Sequence, residues 1–250
     1  MLTWGLGEVG DLGRPASAMR DEKTNYRFEA IRDEHLTPQP PIRAGGLGPL
    51  PAVKSIGTGM WHLFLVTAVG SAVYTSGMNN YGQLGLGDET NRDHLEPIPA
   101  LAGRGVTVVG GGQHHSIALA GGGVVEGVAA TAPAAVFAWG RADYGQLGVG
   151  NAVDSSPGSF LNQPVETALP ADSGAPTQLS CGENHTLLLT AKRQVFSWGF
   201  GEMGQLGHFT DKDELAPKRL DLARAKLDHL QVLMVAGGGQ HSIFLGRHVD

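Results

Sequence analysis

Residues 141–150 read RADYGQLGVG, and the phrase returns with small changes as NNYGQLGLG at 79–87, GEMGQLGH at 201–208 and GEVGDLGR at 7–14. Its last glycines, Gly13, Gly85, Gly148 and Gly207, lie 72, 63 and 59 residues apart. A period of about 60 residues suits one small antiparallel sheet and is too long for a helical pair. The chain therefore reads as an array of equivalent sheets, which is how a β-propeller is built.

The neighbours of the phrase fill in the repeat. Before each copy stands a short β-branched and aromatic run ending in glycine: Met1–Gly5 (MLTWG), Val73–Gly77 (VYTSG), Val136–Gly140 (VFAWG) and Val195–Gly199 (VFSWG). These are strands. Further upstream, a glycine-rich turn brings in a histidine that opens an apolar run. GMWHLFLV, GQHHSIAL, GENHTLLL and GGQHSIFL put His62, His115, His185 and His241 at one equivalent position. After the phrase, Pro97, Pro164 and Pro217 enter the last strand of each unit, which must be an edge strand because proline cannot donate to a ladder. Leu12, Leu84, Leu147 and Leu206, each flanked by glycine, are expected to plug the space between neighbouring sheets.

One domain is expected over 1–250. It divides into a half repeat at 1–16, an inserted loop at 17–48, full repeats at 53–101, 106–170 and 176–221, and a half repeat at 231–246. Within the inserted loop, residues 26–34 could form one short helix at best. The stretch Gly121–Ala135, GGGVVEGVAATAPAA, interrupts the second repeat as an exposed low-complexity loop.

Composition narrows the function. The single cysteine, Cys181, excludes an intrachain disulfide and suits a reducing compartment, which makes the Asn184-His185-Thr186 glycosylation triplet accidental. A net charge of −6 gives no electrostatic footprint for nucleic acid. Between Arg14 and Glu34 five basic residues face five acidic ones, so direct DNA binding is not expected of that loop either. The longest stretch of low polarity, 128–140, is too short to span a bilayer and contains Pro133, and nothing resembles a signal peptide.

Several catalytic motifs dissolve into the repeat. Gly5-x-Gly7-x-x-Gly10 and Gly199-x-Gly201-x-x-Gly204 match a dinucleotide fingerprint, but a Rossmann turn must open a helix and these lead into an LG turn. His114-His115-Ser116 and His241-Ser242 lack the strained elbow of a serine nucleophile. Ten histidines with one cysteine and no HExxH spell no metal site. No cofactor and no bond-breaking chemistry are expected, and Trp4, Trp139 and Trp198 are expected in the blade core.

The order GxxH, apolar strand, V-aromatic-x-W-G and GQLG resembles the regulator of chromosome condensation family. That resemblance implies an all-β, seven-bladed propeller, of which about four blades are present here. The chain then reads as the C-terminal part of a longer propeller. The alternative is a closed four-bladed ring in which Met1–Gly5 pairs beyond Phe244 and Leu245. The family's namesake is the guanine-nucleotide exchange factor for the small GTPase Ran, held on chromatin in the nucleus through histones and DNA. By resemblance His114 and His241 fall on exchange positions. Arg14, Met60, Trp61, Gln113, Glu183, Asn184 and Gln240 fall on the partner-facing surface. The hairpin wedge by which the family reaches the GTPase phosphate site comes from an earlier blade and has no counterpart in these residues. The same repeat occurs in non-catalytic scaffolds, so the implied functions are exchange factor or protein-binding scaffold, in the nucleus by resemblance and otherwise in the cytoplasm.

Overall fold

The computed structural model describes residues 1–4, 9–14, 39–46, 48–121, 124, 125, 128, 129 and 134–249. Its strands are β1 (Val53–Thr58), β2 (His62–Thr67), β3 (Val73–Gly77), β4 (Arg92–Pro97), β5 (Val106–Gly111), β6 (His115–Ala120), β7 (Val124–Val125), β8 (Val128–Ala129), β9 (Ala135–Arg141), β10 (Phe160–Thr167), β11 (Pro176–Cys181), β12 (His185–Thr190), β13 (Val195–Gly199), β14 (Glu214–Arg219), β15 (Leu230–Gly237) and β16 (Ser242–His248). They make three four-stranded antiparallel sheets, β1-β2-β3-β4, β5-β6-β9-β10 and β11-β12-β13-β14, followed by the two-stranded β15-β16. These are three complete blades and the first two strands of another. The fold is an all-β propeller array.

The second strand of each complete blade, β2, β6 and β12, is buried at every one of its six residues. This is why those strands read as continuous apolar runs: each lies mid-sheet, with β6 and β12 covered by a sheet on both sides and β2 by the second blade on one side. Phe64 and Val66 point into a core shared with Val106, Val109 and Trp139 of the second blade, while Leu63 and Leu65 pack on the opposite side with Tyr74 and Leu95. The core is thus divided into layers between blades, with a further layer joining Leu188, Phe196 and Trp198 to Ile117 and Leu147.

The sheets repeat even in their irregularities. The ladder between the first and second strand shifts register at Val53/Ser55, Val106/Val108, Pro176/Gln178 and Val232/Met234, one bulge at the same place in every blade. The prolines Pro97, Pro164 and Pro217 stand on β4, β10 and β14, the outermost strands.

Three expectations change. Among the described residues, Met1–Trp4 does not pair beyond Phe244 and Leu245 to close a ring: Thr3 pairs with Gln39 through bonds of 2.8 and 3.1 Å, so Gln39 is the partner of the N-terminal segment, and β16 pairs with β15. Trp4 is not core: it is 62% exposed, whereas Trp139 and Trp198 are wholly buried. The physical reason is positional, because a buried tryptophan of this slot rests on the preceding blade, and no such blade precedes Trp4 among the described residues. Finally, the low-complexity insertion contains a short paired hairpin, β7-β8, with Val125 opposite Val128. The helix expected over 26–34 lies outside the described residues.

Candidate partner-facing surface

One carbonyl organises each seam. The GQLG phrase folds into two successive tight turns, with Gly148 N bonded to Gly145 O and Gly145 N to Ala142 O, each at 2.9 Å. Gly145 and Gly148 have φ of 75° and 69°, the left-handed region that favours glycine. Gln146 turns its side chain back to accept the Tyr144 N–H at 2.9 Å, and Leu147 is fully buried. The Gln146 carbonyl is thereby aimed at the next blade, where it accepts Trp198 Nε1 at 3.1 Å and Thr186 Oγ1 at 3.1 Å. Gln83 does the same for Trp139 Nε1 at 2.8 Å and Ser116 Oγ at 2.7 Å.

The repeat histidines complete the seam from the other side. Nε2 of His62 meets Ser116 Oγ at 2.9 Å, His115 meets Thr186 Oγ1 at 3.3 Å, and His185 meets Ser242 Oγ at 2.9 Å. A Cβ on Gly59, Gly112 or Gly182 would collide with the imidazole of the histidine three residues on, which explains the first position of GxxH. Burial, with lesser effects of neighbouring histidines, pushes His62 and His115 down to about 3 and His185 to about 4. They are neutral structural residues.

The loops just before these histidines form one continuous rim. Met60 N donates to Gly112 O at 2.9 Å, Gln113 N to Glu183 O at 2.8 Å, and Glu183 N to Gly239 O at 3.2 Å, so the rim crosses every seam by backbone hydrogen bonds. Met60, Trp61 and Gln240 are exposed on it, and Gln113, Glu183 and Asn184 are half-buried. The structure brings these six together with His114 and His241.

His114 is the residue of the rim that the repeat does not use. Its ring leans on Tyr81 at 5.0 Å, and its carbonyl accepts the Arg141 N–H at 2.9 Å. The Arg141 guanidinium lies between two rings, 5.2 Å from Tyr81 and 5.1 Å from Tyr144, and is clamped by Asp143 at 2.8 and 3.0 Å to Nε. Partial burial, then the Arg141 charge, lowers the His114 pKa, so its half-exposed imidazole is offered in neutral form. Tyr81, Arg141, Asp143 and Tyr144 are functional candidates that sequence reading passed over. The signal was present in the phrase itself, where an aromatic residue precedes GQLG twice and arginine opens one copy.

The remaining site residues separate from this cluster. His241 occupies the repeat slot but is exposed, since it belongs to the last strand pair and no following blade covers it among the described residues. Arg14 is 7% exposed, with Nη1 bonded to Thr3 O and Thr3 Oγ1 at 2.9 Å each, so its guanidinium is not offered to a partner. His208 stands at the same place after its own LG turn and bonds Ser197 Oγ at 2.9 Å. Both are braces for the hydroxyl that precedes the strand tryptophan. Among the described residues no three His, Cys, Asp or Glu side chains are grouped to hold a metal ion.

The RCC1-like domain model matches residues 1–244. The chain belongs to the RCC1-like domain family. It is 33% identical over 220 residues to the ultraviolet-B receptor UVR8 of Arabidopsis thaliana, covering 87% of this chain and 41% of that one. It is 31% identical over 248 residues to human protein RCC2, covering 89% and 40%. Among solved structures, Prp20p of Saccharomyces cerevisiae, described with its binding properties to Gsp1p and histones, superposes with a TM-score of 0.76 at 19% identity, over 100% of this chain and 52% of that one. The chain thus spans about two-fifths of these curated relatives and about half of that structure.

Proposed function

We propose that this chain supplies part of the GTPase-facing surface of a guanine-nucleotide exchange factor for a Ran-like small GTPase. The observation that carries the reading is the rim itself: a hydrogen-bonded series of loops across successive blades, presenting Met60, Trp61, Gln113, His114, Glu183, Asn184, Gln240 and His241 on one end of the array. The Gsp1p and histone binding described for Prp20p supports the choice of partner and a chromatin setting in the nucleus. His114 carries the largest share, with Tyr81 against its ring and the Arg141 N–H on its carbonyl. Exchange needs no covalent chemistry. A surface that prefers the nucleotide-free GTPase weakens nucleotide binding by the same factor, by linkage.

Acceleration by these residues alone is expected to be weak. Among the described residues the family's wedge has no counterpart: the β7-β8 hairpin is anchored at Ala120 and Ala135, at the end of its blade opposite His115 and Gly140. The test is binding of the chain to a Ran-like GTPase in its nucleotide-free and GDP-bound forms, with GDP release followed in parallel. Tighter binding to the nucleotide-free form, lost in His114→Ala, supports the reading. Equal affinity for both forms with unchanged release supports a protein-binding scaffold, a role in keeping with the match to the probable E3 ubiquitin-protein ligase HERC3 of Homo sapiens, 33% identical over 76% of this chain and 16% of that one.

A further inference from the structure

One link of the array is longer than the repeat requires. Between the last glycine of the GQLG phrase and the outer strand stand six residues in the first blade (86–91) and six in the third (208–213), but eleven in the second (149–159). The longer link carries Asp154-Ser155-Ser156-Pro157-Gly158-Ser159. It closes in a tight turn, with Ser159 N donating to Ser156 O at 3.1 Å and Pro157 and Gly158 at the corner, Gly158 at φ 88°. The Ser156 hydroxyl donates to Asp154 Oδ2 at 2.7 Å and lies 3.1 Å from Ser159 Oγ, while Ser156 N donates to Asp154 Oδ1 at 3.1 Å. Asp154, Ser156, Pro157 and Gly158 are exposed.

The turn replaces a side chain that the other blades use. In the first and third blades the residue before the outer strand holds the second amide after the strand glycine: Asn79 N donates to Asn91 Oδ1 and Gly201 N to Asp213 Oδ1, each at 2.8 Å. In the second blade Ser159 stands at that place, and the Ala142 N–H goes to its backbone carbonyl at 2.8 Å. Gly158 N adds a bond of 3.2 Å to Asp143 Oδ2, the oxygen that Arg141 Nη2 meets at 2.8 Å. The segment 141–143, whose first N–H rests on the His114 carbonyl, is therefore held by the backbone of the Ser156–Ser159 turn.

We propose that Ser156 is a phosphorylation site for a proline-directed serine kinase and that its phosphate loosens the rim around His114; the effect on a GTPase rests on the function proposed above. The chain has two Ser/Thr-Pro dipeptides, Thr37-Pro38 and Ser156-Pro157, and the second offers its hydroxyl on an exposed turn. Proline removes the N–H that follows the serine, the feature such a kinase reads. In the transfer Ser156 Oγ bonds the γ-phosphorus of ATP, the bond from that phosphorus to ADP breaks, and the hydroxyl proton passes to the kinase's base. The ester oxygen then has no proton to give Asp154, and a charge of about −1.5 to −2 stands beside that carboxylate. Repulsion opens the turn, which draws Ser159 O away from Ala142 and Gly158 N away from Asp143. Arg141 loses part of its clamp, and His114 loses the fixed N–H on its carbonyl.

Incubating the 250-residue chain with ATP and a proline-directed serine kinase should place a phosphate on Ser156, located by mass spectrometry, and do so far more slowly in Pro157→Ala. The Arg141 Nε–H signal in nuclear magnetic resonance, identified by its loss in Arg141→Lys, should shift on phosphorylation and stay in place in kinase-treated Ser156→Ala. Binding of nucleotide-free GTPase should weaken roughly tenfold, with the melting temperature unchanged. No phosphate at Ser156, a phosphorylated chain whose Arg141 signal stays where it was, or one that binds the GTPase as tightly as before would overturn the proposal. A chain that binds no GTPase in either state, yet gains the phosphate and shifts its Arg141 signal, would uphold the site and its coupling and overturn the proposed function instead.

Discussion

Trp139 Nε1 donates to the Gln83 carbonyl at 2.8 Å, joining residues 56 positions apart in different blades. The same oxygen accepts Ser116, and Ser116 in turn meets His62, so four residues from two blades share one buried network. Such a network is worth most when complete, because each member left alone is a buried polar group without a partner.

Trp139→Phe should cost about 1–2 kcal/mol, the indole hydrogen bond and part of the packing, and Trp139→Ala about 3–5 kcal/mol. Urea unfolding measures both. A Phe variant as stable as wild type would show that Ser116 alone satisfies Gln83.

Acid should destabilise the chain from an unusually high pH. The buried His62, His115 and His185 have folded pKa values of about 3, 3 and 4, against about 6.5 unfolded. Above pH 6.5 both states are neutral and these groups contribute nothing to the pH dependence. Below it the unfolded chain takes up protons that the folded chain refuses, and each histidine can cost up to about 1.4 kcal/mol per pH unit until its folded pKa is reached. Melting temperatures should already fall between pH 6.5 and 5, and His115→Gln should flatten that slope.

His114 and His115 should part company. His115→Ala removes a seam partner and should lower stability by about 2 kcal/mol or more, whereas His114→Ala should leave melting nearly unchanged and weaken binding of nucleotide-free GTPase roughly tenfold. Calorimetry and a binding titration on the two variants separate the roles.

Two glycines on one strand turn should also differ. A Cβ at Gly110 meets nothing within 4 Å, so Gly110→Ala should be close to neutral, while at Gly112 it would strike the His115 ring and the Gly182 carbonyl. Gly112→Ala should cost several times more, of order 2–3 kcal/mol, because backbone and a buried ring must both move. Paired denaturation curves decide it.

The repeat made the blades legible, because a period near 60 residues, strand prolines and turn glycines all arise from local chemistry that one copy shows and three others repeat. Trp4 was misplaced for the opposite reason. Its sequence is that of a core strand, yet its burial depends on a neighbouring blade that no local pattern records. Arg14 was misread likewise: a basic residue after an LG turn looks like a surface contact until Thr3 is seen beneath it. The Tyr81–His114–Arg141 cluster was hidden because its members come from different blades, and only the seam brings them within reach.

The seam also bears on how such a chain can grow. The second and third units each carry an outgoing acceptor, the Gln146 or Gln205 carbonyl, and incoming donors, Ser116 with Trp139 or Thr186 with Trp198, so the rule for joining is the same in both. Excising or duplicating one period, such as the 63 residues from Leu86 to Gly148, rejoins an equivalent acceptor to equivalent donors. Unequal recombination between gene segments would then change the number of blades without inventing a new contact, and the lineage could vary ring size as freely as a wall varies its courses of brick.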